Sequence, residues 1–313
     1  MILYIVIPCY NEEEALPISS GVISEKVRAL IAAGTISDKS RIMLVDDGSR
    51  DKTWEVITRL HGENNLITGV KLTRNRGHQN ALLAGLITAK DYCDAAVSID
   101  ADLQDDINAI DGMIEKYKTG CDVVYGIRSS REKDTFFKRN TALVFYKIMK
   151  KMGVDMVYNH ADYRLMSKRA LEGLEQFEEV NLFLRGIVPL IGYKHDFEEY
   201  GRGERVAGES KYPLSKMIAF AIQGITSMSI KPIRMITTLG LFIFVASFVL
   251  LVYSLVMRFI GNVVPGWTSL MWSIWALGGL QMLSLGIIGE YVGKIYLEAK
   301  KRPKFIIEEF LKN

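Results

Sequence analysis

The N-terminal part of the chain alternates between short apolar runs and longer segments with the spacing of amphipathic helices. The apolar runs have the length of strands and cover Ile2–Ile7, Arg41–Val45, Leu66–Leu72, Ala95–Ile99 and Asp122–Gly126. Continuous apolar runs are typical of strands that are covered on both faces. Strands that alternate with helices favour a mostly parallel sheet with right-handed crossovers. We therefore expect an α/β fold.

Two long uncharged stretches follow in the last third of the chain. Met235–Met257 and Thr268–Gly289 contain no Asp, Glu, Lys or Arg, and each has about the length that crosses a bilayer. Lysines and arginines flank the outer ends of this pair, whereas only Arg258 lies beside the connecting loop. The positive-inside rule therefore predicts that both ends, and the whole N-terminal domain, lie in the cytoplasm.

Apolar residues also recur at helical spacing from Leu214 to Met228, directly before the first uncharged stretch. This position favours an amphipathic helix in the membrane interface, although a helix that faces a protein core has the same pattern. We expect an α/β domain over residues 1–212, an interfacial helix over 213–231, a transmembrane hairpin over 232–297 and a cytoplasmic tail over 298–313. Such a chain is a multi-pass protein of the cytoplasmic (inner) membrane.

Composition narrows the classes of function. The chain has 313 residues, of which 49% are hydrophobic, and its mean hydropathy of +0.12 is high for a soluble enzyme. A net charge of only +3 does not indicate nucleic-acid binding. The three cysteines are scattered, as expected of reduced thiols in a cytosolic compartment.

The strongest candidate for chemistry is an acidic pair, Asp100 and Asp102, at the end of the fourth apolar run. Residues i and i+2 of an extended backbone point to the same side. Two such carboxylates can hold Mg²⁺ or Mn²⁺ together with substrate phosphates. The glycine-rich phosphate-binding motifs of other nucleotide-binding proteins are missing, so a metal has more of the phosphate to bind. A solvated acidic turn is the alternative interpretation.

Polar residues also follow the first two apolar runs, where they face the expected crevice. A capping box explains Asn11 and Glu14, but it leaves the neighbouring proline and tyrosine unexplained. Further on, Arg128–Gly153 is basic with interleaved aromatic residues, which indicates either a solvated helix face or a cationic surface next to a membrane. The residues at the first two strand ends are Pro8, Tyr10, Asn11, Glu12, Asp46 and Asp47.

The order of these motifs resembles the inverting GT-A glycosyltransferases of family 2. The segments that carry this resemblance are Val6–Glu12 (VIPCYNE), Val45–Ser49 (VDDGS) and Asp100–Gln104 (DADLQ). Later segments resemble the polyprenyl-phosphate glycosyltransferases, a group similar to dolichyl-phosphate-mannose synthase that includes the bactoprenol glucosyltransferases. These segments are Ala161–Met166 (ADYRLM), Phe183–Gly186 (FLRG), Gly208–Tyr212 (GESKY) and Ile288–Gly293 (IGEYVG).

The resemblance implies an enzyme that transfers one sugar from a nucleotide-sugar donor to a polyprenyl phosphate such as undecaprenyl phosphate, with anomeric inversion. It also implies a Mg²⁺ or Mn²⁺ cofactor, with Asp100, Asp102 and Gln104 as the metal-binding residues. The implied donor-binding residues are Pro8, Tyr10, Asn11, Glu12, Asp46, Asp47, Asp100, Ala101 and Asp102. The implied acceptor-phosphate residues are Arg128, Lys138 and Arg139.

Catalytic roles are expected for Asp102, Arg128 and Asp162. A phosphate monoester has a second pKa of about 6, so the acceptor is already largely dianionic at neutral pH. Positioning therefore matters more than deprotonation. Asp162 either acts as a modest base or orients Arg164 and the sugar, and a purely structural Asp–Arg pair is a third interpretation.

The donor sugar stays open at this stage. Glucose or N-acetylglucosamine from UDP come first, ahead of mannose from GDP or aminoarabinose from UDP, with products for cell-wall or polysaccharide synthesis. A processive polysaccharide synthase is disfavoured because no tryptophan follows an arginine. A non-enzymatic lipid flippase or channel subunit is disfavoured by the intact acidic motif. Self-association as a dimer or a tetramer is left open.

Overall fold

The computed structural model describes residues 1–129, 147–149, 151–153, 160–201, 222–260 and 266–312. In this part of the chain, eight strands form one sheet in the order β7-β5-β6-β4-β1-β2-β3-β8. The five predicted strands are confirmed as β1 to β5, with small shifts at their ends. The strands are β1 (Leu3–Cys9), β2 (Arg41–Asp46), β3 (Ile67–Leu72), β4 (Ala95–Ser98), β5 (Val123–Arg128), β6 (His160–Ser167), β7 (His195–Tyr200) and β8 (Ile307–Leu311).

Of the described helices, six cover the two faces of the sheet and two longer ones follow them in the sequence. The helices are α1 (Leu16–Ala32), α2 (Thr53–Glu63), α3 (His78–Lys90), α4 (Ala109–Lys118), α5 (Lys168–Glu175), α6 (Leu184–Leu190), α7 (Lys231–Phe259) and α8 (Trp267–Lys300). Leu3 and Ile5 of β1 share one core with α1, α2 and α4. Tyr4 and Val6 share a second core with α3, α5 and α6. Because successive residues of a strand point to opposite faces, both sets are apolar and the run is continuous.

The sheet is parallel from β3 through β2 and β1 to β4, as predicted. β6 was not predicted, and it runs antiparallel between β4 and β5. Its sequence mixes charges with apolar residues, since Asp162 and Arg164 alternate with Tyr163 and Leu165. This alternation puts the two charged residues on one face of the sheet. The unexpected strand therefore carries a charged pair into the middle of the fold.

Two long helices, α7 and α8, follow the sheet domain in the sequence. Large apolar side chains on both are exposed, including Phe242, Trp275 and Met282. Among the described residues, no helix combines the length and the apolar character that crossing a membrane requires. The two predicted spans therefore stay a prediction. Within the predicted interfacial helix, residues 213–221 lie outside the described residues, and residues 222–228 are helical.

The C-terminal residues belong to the sheet and do not form a separate tail. Helix α8 ends at Lys300, and the next residue, Lys301, has a positive φ of 45°. The chain then adds β8 antiparallel to β3, with Val70 opposite Phe310. The ring of Phe310 lies 5.9 Å from that of Tyr92, measured between centroids. The predicted boundary at residue 298 thus assigns β8 to a separate tail, although β8 pairs with β3 of the α/β domain.

Candidate active site

The carboxyl ends of β1, β2 and β4 open at the same edge of the sheet, because these strands are parallel neighbours. Cys9 at the end of β1 pairs with Asp46, and Val6 pairs with Ser98. Ligands of open α/β sheets bind outside this edge. The residues predicted to bind the donor therefore lie around one crevice.

The loop after β1 is fastened to the loop after β2. Asn11 has a positive φ of 55°. Its backbone N–H donates to Ser49 Oγ at 3.0 Å, and its side-chain Oδ1 accepts from the N–H of Arg50 at 2.9 Å. Helix α1 begins at Leu16 without a side-chain cap. The capping-box interpretation of Asn11 is therefore wrong, and this side chain joins two loops of the crevice instead.

The other residues near the end of β1 that are predicted to bind the nucleotide sugar differ in their exposure. Pro8 is buried within β1, opposite Val45. The N–H of Glu12 donates to Thr53 Oγ1 at 2.9 Å. Tyr10, by contrast, is 40% exposed at the edge of the crevice. Its ring is accessible in the way that stacking on a nucleobase requires.

Asp46 and Asp47 are both buried and hold backbone N–H groups. Asp46 accepts from the N–H of Ser49 at 3.1 Å, and Asp47 accepts from the N–H groups of Arg76 and Gly77 at 2.7 and 2.8 Å. Burial raises the pKa of each carboxyl, and these hydrogen bonds oppose that rise. The two carboxylates therefore fix the backbone of the loops after β2 and β3. Their direct contact with a nucleoside stays a prediction.

The acidic pair after β4 lies on a tight turn. Asp102 Oδ1 accepts from the N–H of Gln104 at 3.2 Å, and Leu103 between them has a φ of 51°. Ala101 is buried. No group of three or more His, Cys, Asp or Glu side chains within the described ranges is arranged to hold a metal ion. Mg²⁺ in nucleotide sites takes one or two carboxylates and completes its shell with phosphates and water, so the oxygen donors of Asp100 and Asp102 fit it.

Asp162 on β6 is the centre of an ion-pair cluster beside this turn. Its carboxylate accepts from Arg164 Nη2 at 2.9 Å and from Arg185 Nη2 at 3.0 Å. His78, at the start of α3, places Nε2 3.8 Å from Asp162 Oδ2 and 3.6 Å from Asp100 Oδ1. One histidine thus lies within ion-pair distance of the predicted metal-binding turn and of the predicted catalytic carboxylate.

The ionisation of Asp162 bears on its predicted role. Burial by itself raises the pKa of this carboxyl, but the guanidinium groups of Arg185 and Arg164 outweigh it and hold the pKa well below the usual range. A carboxylate that binds protons so weakly is a poor general base. The contacts therefore favour the orienting role that was the alternative in the sequence interpretation.

A second acidic group holds Arg128, the predicted acceptor residue at the end of β5. Asp105 is buried, and its Oδ1 accepts from Arg128 Nη2 at 3.2 Å and from the hydroxyl of Tyr200 at 2.6 Å. Although burial lowers the pKa of the guanidinium, Asp105 and Tyr200 raise it overall. The other two predicted acceptor residues, Lys138 and Arg139, lie outside the described residues.

Comparisons with known proteins identify the family. Residues 4–174 match the family described as glycosyl transferase family 2. The chain belongs to glycosyl transferase family 2. It is 52% identical to the uncharacterized glycosyltransferase YkoT of Bacillus subtilis, over 100% of this chain and 93% of that protein. It is 40% identical to the bactoprenol glucosyl transferase of Shigella phage SfII, over 99% of this chain and 98% of that protein.

A solved structure with a looser overlap is glucosyl-3-phosphoglycerate synthase from Mycobacterium tuberculosis, in complex with Mn²⁺, UDP-glucose and phosphoglyceric acid. It covers 72% of this chain and 77% of its own, with 17% sequence identity and a TM-score of 0.45.

Four residues of this glycosyltransferase had no role in the sequence interpretation: His78, Asp105, Arg185 and Tyr200. Arg185 was visible only as part of the FLRG segment, and His78 only as the end of a polar loop after β3. Asp105 directly follows the acidic motif, which is a weak local signal. Tyr200 has no local signal, because β7 brings it from far along the chain to Asp105.

Proposed function

We propose that this glycosyltransferase moves one sugar from a nucleotide diphosphate sugar to a polyprenyl phosphate, with inversion at the anomeric carbon. The observation that carries the proposal is that the acidic turn and the arginine cluster of Asp162 meet at one sheet edge, with His78 between them. UDP-glucose is the donor expected first, because full-length relatives are named bactoprenol glucosyl transferases. UDP-N-acetylglucosamine, GDP-mannose and UDP-aminoarabinose follow as alternatives.

At the donor end, Tyr10 would stack on the base while the fastened loops after β1 and β2 enclose the nucleoside. Asp100, Asp102 and Gln104 would hold Mg²⁺ or Mn²⁺ together with the donor phosphates. A bound divalent ion supplies Lewis-acid stabilisation of the departing diphosphate. The proposal includes either ion, Mg²⁺ or Mn²⁺, as the cofactor.

At the acceptor end, the chain has to position a dianionic phosphate without removing a proton from it. Arg128 supports this role, because its guanidinium remains partly accessible while Asp105 and Tyr200 hold it in place. Guanidinium groups bind phosphate oxygens in pairs and with defined geometry. Asp162 contributes by holding Arg185 at the crevice. Lys138 and Arg139 remain predicted partners of the same phosphate.

We place the enzyme at the cytoplasmic face of the inner membrane, where a polyprenyl phosphate presents its headgroup. The support is the apolar surface of α7 and α8, on which Phe242, Trp275 and Met282 are 72%, 76% and 73% exposed. Large exposed apolar surfaces mark sites of contact with a membrane or with another protein. The predicted interfacial helix over residues 213–231 would hold the crevice at headgroup level. Self-association stays a prediction.

The direct test uses the full-length protein in detergent with undecaprenyl phosphate, Mg²⁺ or Mn²⁺, and each of the four radiolabelled donors in turn. We expect transfer from UDP-glucose to the lipid phosphate, and a product with anomeric configuration opposite to that of the donor by NMR. Transfer only to water or to a saccharide, with every donor, would reject the proposed acceptor.

A matched pair of arginine variants locates the acceptor. Arg128→Ala should raise the acceptor KM on the order of tenfold or more, because it removes a charge-assisted contact to the phosphate, while the donor KM stays unchanged. Arg59→Ala on the exposed face of α2 is the control and should match the wild type. An unchanged acceptor KM in Arg128→Ala would exclude this residue from the acceptor site.

A further inference from the structure

The end of helix α8 is joined to the loop that precedes Arg185. Glu298 lies in the last turn of α8, and its carboxylate accepts from the backbone N–H groups of Val180 and Asn181, each at 2.8 Å. The side-chain amide of Asn181 donates to the same carboxylate at 2.6 Å and to the carbonyl of Lys294 at 3.3 Å. One acidic side chain thus fastens two consecutive peptide groups to the end of α8.

The segment held by Glu298 leads directly to Arg185. Phe183 is fully buried, and the N–H of Leu184 donates to Gln79 Oε1 at 2.8 Å. Gln79 follows His78, the histidine that lies beside both Asp100 and Asp162. The first turn of α6 therefore contacts the ion-pair cluster through Arg185 and the start of α3 through Leu184.

Close packing around Phe183 leaves this segment little room to shift. A Cβ added at Gly186 would lie 2.9 Å from Phe183 Cδ1 and 2.9 Å from Met228 Cε. A Cβ added at Gly224 would lie 3.0 Å from Phe183 Cζ. Interiors packed in this way transmit displacement rather than absorb it. A displacement of Asn181 is therefore transmitted through Phe183 to Arg185.

The charge state of Glu298 is suited to this role. Burial raises the pKa of its carboxyl, but the hydrogen bonds from Val180 and Asn181 outweigh that effect and lower the pKa. The carboxylate is therefore ionised at neutral pH and accepts all three N–H bonds. Nearby, Lys301 and Glu178 form a second ion pair between the same helix end and the same loop, at 3.5 Å, but both side chains are 80% exposed.

We infer that Glu298 is a positioning residue for glycosyl transfer: it holds the Val180–Leu184 segment so that Arg185 meets Asp162 in the geometry that the reaction needs. The residue touches neither donor nor acceptor, and it acts through Arg185. The inference rests on the proposed function for its reaction, but the contact network on which it stands is independent of the identity of the lipid.

The kinetic test compares Glu298→Ala and Glu298→Gln in the full-length enzyme, with UDP-glucose and undecaprenyl phosphate. Since a displacement of about 1 Å at a reacting centre costs on the order of 100-fold, we expect kcat of Glu298→Ala to fall between about 10-fold and 100-fold, with the donor KM unchanged. Glu298→Gln retains one acceptor oxygen and should recover part of the loss. Glu178→Ala, which breaks the exposed ion pair, should match the wild type.

A double-mutant cycle separates positioning from general destabilisation. If Glu298 acts through Arg185, adding Glu298→Ala to Arg185→Lys should cost far less than it costs the wild type, because both changes affect one interaction. Factors that multiply in the double variant would overturn the inference. So would a Glu298→Ala enzyme with wild-type kcat.

Hydrogen exchange supplies a readout that needs no substrate. Glu298→Ala should speed exchange of the amides of Leu184–Leu190, while those of β1, β2 and β4 keep wild-type rates. Wild-type exchange in Leu184–Leu190 would overturn the inference even if every donor and acceptor proved inactive. An inactive wild-type enzyme with faster exchange in the variant would reject only the proposed function.

Discussion

The α/β domain and the pair of long helices contain similarly apolar stretches and place them in opposite ways. Ile5 and Val6 of β1 are fully buried, whereas Phe242, Trp275 and Met282 on α7 and α8 are about three-quarters exposed. In the domain, burial stabilises the fold by about 25 cal/mol for each Å² of apolar surface. The helical pair leaves that gain to another surface, which we propose is lipid. An apolar stretch thus predicts that its side chains are covered, but the tertiary structure decides whether other parts of the protein cover them.

Charged groups show the reverse contrast. At its sheet edge the domain buries Asp162 with Arg164, and it pairs the buried Asp105 with the partly exposed Arg128, whereas residues 235–257 of α7 contain no charge. Buried charges are costly and are retained where they are paired. The comparison therefore predicts that chemistry depends on the charged edge of the domain and that the helical pair tolerates changes that the domain does not.

The largest expected effect tests whether chemistry lies only in the domain. Asp102→Ala should reduce turnover on the order of 1,000-fold, because it removes a ligand of the divalent ion that would stabilise the departing diphosphate. Recovery of the variant in the membrane fraction should be unchanged. Asp106→Ala on the same loop is the control, since that side chain is exposed. Near-normal turnover by Asp102→Ala would contradict the assigned role of the acidic turn.

The next effect combines activity with stability. Asp162→Asn should lower kcat on the order of 100-fold by releasing Arg185. It should also lower the free energy of unfolding by about 3–5 kcal/mol, because Arg164 remains buried without its counter-charge. Asp111→Asn breaks a partly exposed pair with Lys26 and should cost less than about 1 kcal/mol. Kinetics and thermal unfolding measure both; equal costs for the two variants would refute the buried pair.

The pH dependence of this pair follows from the sign of the shift. The folded-state pKa of Asp162 is depressed, so its contribution to stability is fully present above the unfolded-state pKa and is lost as pH falls through the folded-state value. The stability gap between wild type and Asp162→Asn should therefore stay level from about pH 5 to about pH 8 and narrow only under strongly acidic conditions. A gap that closes near neutral pH would contradict the depressed pKa.

The smallest effect compares two glycines directly. A Cβ at Gly85 of α3 would lie 2.4 Å from Val6 Cγ1 and 2.6 Å from Val45 Cγ2, whereas one at Gly279 of α8 meets nothing within 4 Å. Gly85→Ala should therefore lower the free energy of unfolding by about 1–3 kcal/mol. Gly279→Ala should change it by about 1 kcal/mol or less, with helix propensity favouring alanine. Equal shifts in thermal unfolding would mean that the helical pair is packed as tightly as the domain.

The strands β1 to β5 could be predicted because each is an apolar run covered on both faces, and that pattern is local. The strands β6 and β7 could not, because each mixes charges with apolar residues and depends on pairing with partners far along the chain. The same limit applies to the candidate site. Asp100 and Asp102 were visible from their spacing, whereas His78 gained a role only when α3 brought it to Asp100 and Asp162.

By itself, the sequence determined the α/β order of elements, the acidic turn after the fourth strand and the apolar character of the last third, since each is encoded in neighbouring residues. Only the tertiary structure decided that β6 carries Asp162 to His78, that β7 brings Tyr200 to Asp105 and that Glu298 reaches Asn181. Each of these contacts joins residues more than 80 positions apart, and no local pattern encodes such a distance. Long-range pairing across the sheet and along α8 creates them.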